Sequence, residues 1–112
     1  MSGLPGGERA VVDARKLTDY VLSPEHPRGR HKARVLREAL GIGRAEAAWL
    51  RQALLTAAAR AEPNLIADDE HGRRWRLDIA LEHAGKRAKL RTLWIVRTGE
   101  DFPRFVTCWA LP

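Results

Sequence analysis

The sequence has little of several residue types, and each shortage excludes a class of protein. One cysteine, Cys108, in 112 residues leaves no internal disulfide framework and no multi-cysteine zinc or iron–sulfur site. No apolar run approaches the roughly 20 residues of a membrane-spanning helix, and the longest candidate, 53–59, is interrupted by Thr56. The first ten residues lack a basic region followed by an apolar core, so they do not resemble a signal peptide.

Acidic residues are also scarce relative to basic ones. Twenty Lys and Arg oppose fourteen Asp and Glu, which gives a net charge of +6, and sixteen of the twenty cations are Arg. A small basic domain suggests a polyanionic partner, most often nucleic acid, and the planar guanidinium suits phosphate. Scattered surface cations on an ordinary soluble protein would give the same composition, so composition alone leaves both interpretations open.

The first half of the chain has the spacing of helices. Residues 1–14 contain three glycines and a proline, so we expect a flexible leader. Helices are predicted over 15–22, 30–40 and 44–61, and Pro63 ends the third because the residue before proline disfavours helix.

The second half changes to the alternating period of strands. Strands are predicted over 75–82, 88–97 and 104–111, with 64–68 as a candidate for a fourth, and short turns join them. Short turns permit only antiparallel neighbours. The sequence therefore predicts an α+β fold in which residues 15–112 form one domain, with two to three N-terminal helices packed on a C-terminal antiparallel sheet of three to four strands.

A basic segment without acids runs from His26 to Arg37. Much of its charge lies at the start of the second helix, where the helix dipole disfavours cations. An anion held among them would explain this arrangement, with Arg28 and Arg30 as phosphate-binding residues. Long Arg side chains pointing into water would produce the same sequence, at a penalty of a few tenths of a kcal/mol.

Lys32 occupies an unusual position in this segment. At 100° per residue, Ala33, Leu36, Ala39 and Leu40 define the inward stripe of the second helix, and Lys32 projects near the middle of that stripe. A lysine there must pair, extend past the helix end into water, or serve a site. The functional hypothesis is that Lys32 reaches over the sheet to a phosphate.

Four histidines are available for proton transfer near neutral pH. His26, beside the basic cluster, is the best catalytic candidate, with a capping or solvent-exposed histidine as the alternative. His31 is expected to be solvated. His71 is a candidate second proton carrier, but its spacing from the acids at 68–70 matches no metal-ligand pattern, so no metal site is predicted.

On the sheet, polar residues are expected to share one surface: Arg91, Thr92, Arg97 and Thr107. Cys108 has no evident base partner, which favours a buried filler over a nucleophile. The sequence contains no Gly-rich phosphate loop, no dinucleotide fingerprint and no nucleophile elbow, so no cofactor is predicted.

Three segments together resemble a known family: KLTDYVLSPEHPRGRHKARVLREALGI, RTLWIV and DFPRFVTCWAL. The family is a small, mostly uncharacterised bacterial domain that occurs in stand-alone proteins and at the C-terminal tips of polymorphic secreted toxins. It is similar to the barnase–EndoU–colicin–RelE group of toxin nucleases. The resemblance covers about residues 15–112.

The resemblance implies a metal-independent ribonuclease that uses the 2′-hydroxyl of the RNA. His26 and Lys32 occupy the turn-and-helix motif of the family, and Thr107 occupies its last-strand motif, so these three are the expected catalytic residues. Arg91, Thr92 and Arg97 surround the middle-strand motif, with Arg91 and Arg97 as phosphate-binding residues.

RNA is then the expected partner, an acidic immunity or antitoxin protein is a second one, and no membrane is involved. The expected site of action is the cytoplasm of the host or of a target cell, and the oligomeric state is left open. The alternative is a non-catalytic module that binds nucleic acid or an acidic protein. Clustering of His26, Lys32 and Arg91 at one cleft would favour the enzyme.

Overall fold

The computed structural model describes residues 2–112, and its first half is helical. Helix α1, Ala14–Lys16, continues directly into a π-helical turn, Leu17–Val21. Helix α2 spans Arg30–Leu40, and a 3-10 turn, Arg44–Glu46, leads into α3, Ala47–Arg60.

Four strands follow as one antiparallel sheet in the order β1-β2-β3-β4. Their bounds are Asn64–Asp69 for β1, Gly72–His83 for β2, Lys86–Arg97 for β3 and Arg104–Ala110 for β4. The predicted α+β fold, with helices N-terminal to an antiparallel sheet, is confirmed.

The helices cover one face of this sheet and form the core with it. The fully buried side chains alternate along the strands and recur at helical spacing along α2 and α3, as amphipathic elements require. The largest of them are Leu36, Leu40, Leu50, Leu54, Leu77, Leu90, Trp94 and Phe105. Within residues 2–112, no helix is both long enough and apolar enough to cross a membrane.

An irregularity in β4 determines where its polar side chains lie. Leu93 pairs with Thr107 but Trp94 pairs with Phe105, so β4 carries one extra residue, a β-bulge. Beyond the bulge, Thr107 and Trp109 alternate with Cys108, which is fully buried against the helices. Thr107 and Trp109 therefore stand on the side of β4 that faces away from the core.

The predicted flexible leader is corrected by the structure. The amide of Leu4 donates to the carbonyl of Ala58 in α3 at 2.8 Å, and Leu4 itself is buried. Further along, Val11 forms two backbone hydrogen bonds with the beginning of β4. Its amide donates to the carbonyl of Pro103, and its carbonyl accepts from the amide of Phe105, each at 2.9 Å. Residues 2–14 are thus packed on the domain, and Met1 lies outside the described residues.

The glycines that suggested flexibility are needed for this packing. A Cβ at Gly3 would clash with the carbonyl oxygen of Ala59, and a Cβ at Gly7 would clash with that of Ala58. Both glycines let the backbone lie directly on α3. Close approach of the backbone to a neighbour is a common reason for glycine, besides flexibility.

Candidate functional site

The ammonium of Lys32 lies at the centre of a polar and aromatic group. Its Nζ donates to the hydroxyl of Tyr20 at 3.0 Å and to Oγ1 of Thr107 at 3.1 Å. It also lies 5.0 Å from the ring centroid of Tyr20 and 5.4 Å from that of Trp109, within the range of cation–π attraction. We call these four residues the Lys32 cluster.

Three elements bring the cluster together. Lys32 is in the first turn of α2, which packs on β3 and β4 through the predicted apolar stripe, with Ala33 and Leu36 buried. Thr107 and Trp109 come from the edge strand β4. Tyr20 comes from the π-helical turn that precedes α2.

Gly29, at the start of α2, makes room for Tyr20. A Cβ at Gly29 would clash with the carbonyl oxygen of Tyr20 and lie 3.0 Å from its ring carbon Cδ1. The absence of a side chain at position 29 therefore allows Tyr20 to approach α2 and to reach Lys32.

Lys32 is half-buried but has no acidic partner among the described residues. None of the ion pairs formed by residues 2–112 includes it. An ammonium has three donors, and the two hydroxyls accept two of them while remaining able to donate their own protons. The cluster borders a shallow groove of about 480 Å³ lined by His31, Lys32, Val35, Trp109 and Ala110. An uncompensated positive charge with two adjacent hydroxyl donors is suited to an anion.

His26 joins the cluster through Tyr20. The two rings pack edge to face, with centroids 4.8 Å apart. Nδ1 of His26 accepts from the amides of Arg28 and Gly29, each at 3.0 Å. Nδ1 therefore carries no proton, and the neutral ring has its proton on Nε2.

This arrangement gives His26 the capping contact that the sequence left as an alternative. Its ring satisfies two amides that precede α2, where Gly29 offers no side-chain cap. Its own amide donates to the buried Ser23 at 3.2 Å, which orders the turn. His31, as predicted, is exposed.

Among the predicted phosphate-binding residues, Arg28 lies in the turn just before α2, and Arg30 is the first residue of α2, on the side of the helix away from Lys32. Both are exposed, and neither takes part in an ion pair within residues 2–112. Their charges are available to a ligand.

Arg91 is near the cluster but already paired. It lies opposite Trp109 in the β3–β4 register. Its guanidinium donates two parallel hydrogen bonds to Asp78, both 2.9 Å. This bidentate pair holds the pKa of the Asp78 carboxyl below its usual range and raises the pKa of Arg91.

Arg97 and Thr92 are not brought to the cluster, so the expectation of one shared polar surface is wrong for both. Arg97 lies opposite Gly72, six residues along β3 from Arg91, which is roughly 20 Å. Thr92 is fully buried on the helix-covered face. Its hydroxyl donates to the carbonyl of Leu77 and accepts from the indole of Trp94, at 2.9 and 2.8 Å.

Cys108 is a packed core residue, as predicted. It is fully buried, and burial raises the pKa of its thiol to about 12, although the nearby charge of Lys32 acts in the opposite direction. A thiol in this state is a poor nucleophile near neutral pH.

His71 also lies away from Lys32. It occupies the β1–β2 turn, where its carbonyl accepts from the amide of Thr98 at 3.1 Å and its amide donates to Asp69 at 2.8 Å, at the Arg97 end of the sheet. Its Nε2 is 3.6 Å from Glu70. In the described chain, no group of three or more His, Cys, Asp or Glu side chains is arranged to hold a metal ion.

Sequence reasoning missed two members of the cluster, Tyr20 and Trp109. Trp109 carried a usable signal, because it lies two residues from Thr107 on one strand and so shares its face. Tyr20 carried no such signal, because helical spacing places it on the same side as Leu17 and Val21, which are buried. Only the turn formed by residues 23–29 brings its hydroxyl towards α2.

The comparisons with known proteins agree with this fold. The sequence matches the domain of unknown function DUF6883 over residues 3–112, and the chain belongs to that family. A search of curated proteins found no match. The structure resembles a chain of a contact-dependent growth inhibition toxin–immunity protein complex from Klebsiella pneumoniae 342, with a TM-score of 0.70 and 18% identity. The alignment covers 90% of this chain and 99% of that one, and at this identity it establishes a shared fold.

Proposed function

We propose that this protein is a small toxin-like ribonuclease that cleaves RNA without a metal ion, using the 2′-hydroxyl of the RNA as nucleophile. The observation that supports it is the Lys32 cluster, in which an ammonium without an acidic partner holds two hydroxyls at 3.0 and 3.1 Å. Donors arranged in advance around developing charge are commonly the largest contribution to such catalysis.

In the proposed reaction, the phosphate sits against Lys32, Tyr20 and Thr107. The 2′-hydroxyl loses its proton to water, its oxygen bonds to phosphorus, and the P–O5′ bond breaks. The departing 5′-oxygen takes a proton from the Tyr20 hydroxyl, and Tyr20 later regains one from solvent. Lys32 stabilises the transient phenolate and the pentavalent phosphorane, while Thr107 donates to a phosphoryl oxygen.

The basic start of α2 supplies the surrounding contacts in this proposal. His26 donates from Nε2 to a phosphate oxygen, because its Nδ1 is occupied by two amides. Arg28 and Arg30 bind neighbouring phosphates. Arg91 does not contact the phosphate directly in this proposal, because its guanidinium already donates two hydrogen bonds to Asp78.

The family and fold comparisons support the toxin-like part of the proposal. The matched fold comes from a toxin–immunity protein complex, and net basic charge suits a nucleic-acid substrate. The proposed site of action is the cytoplasm, of the host or of a target cell. An acidic immunity or antitoxin protein is the proposed protein partner.

The decisive experiment is digestion of RNA by the purified protein with and without EDTA. We expect cleavage to be unaffected by EDTA and to leave 2′,3′-cyclic phosphate and 5′-hydroxyl ends, because the internal nucleophile retains the 3′ phosphate. Loss of activity with EDTA, or products with 5′-phosphate ends, would contradict the mechanism.

Tyr20→Phe tests the proton donor. We expect cleavage to fall about 100-fold, a typical value for one general acid, with Thr107→Val falling about tenfold. Tyr20→Phe keeps the ring that packs on His26 and Lys32, so the melting temperature should change little. An RNA carrying a 5′-thio leaving group, which needs no proton, should restore most of the lost rate. Equal loss on both substrates would contradict the role of Tyr20.

A binding module that does not cleave is the second candidate. The observation that favours it is that Nδ1 of His26 accepts hydrogen bonds from two amides. The ring nitrogen that would exchange a proton is therefore occupied, and the best proton carrier predicted from the sequence is lost. Tight RNA binding without any cleavage in the digestion assay would establish this alternative.

A further inference from the structure

A second groove lies on the other side of α2 and has a chemistry of its own. It is about 430 Å³, a size typical of ligand sites. Its apolar floor is formed by Leu22, Pro24, Ala33 and Ile42, and Gly43 also lines it. Three arginines of α2 line it, Arg30, Arg34 and Arg37.

These three arginines have no acidic partners in the part of the chain that the structure describes. They recur at spacings of four and three residues, which places them along one side of the helix over about 10 Å. None takes part in an ion pair within the described chain, and no Asp or Glu lines the groove. A row of uncompensated guanidinium groups beside an apolar floor is complementary to a chain of phosphates that carries flat apolar groups.

The position of Arg37 is set by Gly43. A Cβ at Gly43 would lie 2.7 Å from a guanidinium nitrogen of Arg37, so the missing side chain leaves the space that this guanidinium occupies. Gly43 has φ −144°, a conformation open to any residue. Gly43→Ala should therefore displace Arg37 with little effect on the backbone.

The groove is separated from the shallow groove beside Lys32 by one exposed residue, His31. His31 lines both this groove and the shallow groove that contains Lys32 and Trp109. A single extended occupant can pass from one to the other over His31, and a strand of RNA has the required length and repeating charge.

We propose that the α2 arginine groove is a second RNA-binding surface, which holds single-stranded RNA beyond the phosphate at the Lys32 cluster. The phosphates contact Arg34 and Arg37, and a base lies against Pro24, the exposed apolar residue of the lining. The identity of the ligand rests on the proposed ribonuclease function. The geometry of the groove stands independently of cleavage.

The test measures binding of a fluorescent 12-nucleotide RNA that is 2′-O-methylated and so cannot be cleaved. The groove variant is Arg34→Gln with Arg37→Gln. Its matched control is Arg15→Gln with Arg60→Gln, two exposed arginines that line neither groove and lose the same charge. Melting temperatures confirm that both variants fold.

We expect the groove variant to bind about tenfold more weakly, with a salt dependence of log K shallower by about 1.4 for two lost phosphate contacts on a single strand. The control should stay within about twofold of the wild type, and Gly43→Ala should lose about threefold, since it displaces one guanidinium. Equal weakening in both double variants, or none in the groove variant, would overturn the proposal.

A cleavable dinucleotide separates this inference from the ribonuclease proposal, because it is too short to reach the groove. The groove variant should cleave it at the wild-type rate. If the wild type cleaves no RNA but binds the methylated strand through Arg34 and Arg37, the groove proposal stands and the ribonuclease proposal fails. If poly-glutamate binding depends on these arginines and RNA binding does not, the groove is a site for an acidic protein and the proposal is overturned.

Discussion

Two basic regions of the molecule differ in what their cations contact. On the sheet, six of the seven strand arginines form ion pairs with carboxylates, and the exception is Arg97. Along the start and exposed side of α2, the cations have no acidic partner among residues 2–112: Arg28, Arg30, Lys32, Arg34 and Arg37.

This contrast shows where the excess charge of +6 acts. Paired arginines on neighbouring strands stabilise the sheet modestly and create little field beyond a Debye length. Unpaired cations at a helix N-terminus oppose the helix dipole. A bound anion would convert that small destabilisation into binding, so the α2 region is the part of the surface suited to a polyanion.

The largest expected effect is that of Lys32→Ala on RNA cleavage. We expect a loss of at least about 1,000-fold, because the variant removes the charge at the reacting phosphate. The melting temperature should shift by less than about 5 °C, since alanine is a better helix former and removes a cation from the helix start.

Lys89→Ala is the matched control, an exposed lysine of the sheet. It should leave cleavage within about twofold of the wild type. A steep drop in the melting temperature of Lys32→Ala would instead show that Lys32 is structural. Unchanged activity and melting together would show that it only packs on the rings of Tyr20 and Trp109.

The second prediction compares the two regions directly. Arg28→Gln with Arg30→Gln should weaken RNA binding about tenfold and flatten its salt dependence by about 0.7 per lost phosphate contact. Arg73→Gln with Arg87→Gln removes the same charge from paired sheet residues and should change affinity by less than about threefold. Titrations at several salt concentrations measure both. Equal effects would mean that total charge, and not its placement, governs binding.

A smaller effect, on the melting temperature, is expected from the ion-paired arginines of the sheet. Asp78→Asn should lower the melting temperature by a few degrees at pH 7, since Arg91 and Arg76 both lose their partner. The pKa of Asp78 is lower in the folded state than its usual 3.8, so its contribution is present above about pH 4 and lost as pH falls through the folded pKa. The difference between variant and wild type should therefore shrink in acid.

Melting curves from pH 7 to pH 2 test this, with Glu8→Gln as control, because Glu8 is exposed and outside the ion pairs. A difference that persists unchanged at pH 2 would show that Asp78 acts through packing and not through charge.

The smallest expected effect concerns Cys108, directly behind the Lys32 cluster. With a thiol pKa of about 12 and full burial, it should not react with iodoacetamide at pH 8 in the native protein, while the denatured chain should react readily. Mass spectrometry measures the labelled fraction. Rapid native labelling would mean that the cluster opens to solvent behind Thr107.

Much of the fold could be read from local patterns. The apolar stripe of α2 predicted the buried side of that helix, and the alternation of apolar residues predicted the strands β2 and β3. The packing of the N-terminal segment, residues 2–14, could not be predicted from local patterns. Its glycines are consistent both with flexibility and with close packing, and only the position of α3 shows that Gly3 and Gly7 lie against it.

Part of the candidate site could be predicted from the sequence. Lys32 stood out because a cation on an apolar stripe conflicts with its surroundings, and such local conflict often marks function. Thr107 was expected only from the family resemblance, because 75 residues separate it from Lys32. Tyr20 was missed because a turn of irregular backbone lies between it and α2.

The sequence by itself determined the fold class, the helix and strand order and the acid-free basic segment, because these depend on periodicity and composition over short stretches. Tertiary structure alone decided that the β4 bulge places Thr107 and Trp109 on the outer side of β4, where Lys32 reaches them. It also decided that Asp78 neutralises Arg91 and that two amides occupy the ring of His26. Each of these outcomes depends on which distant groups come within about 3 Å, the range at which hydrogen bonds and ion pairs form.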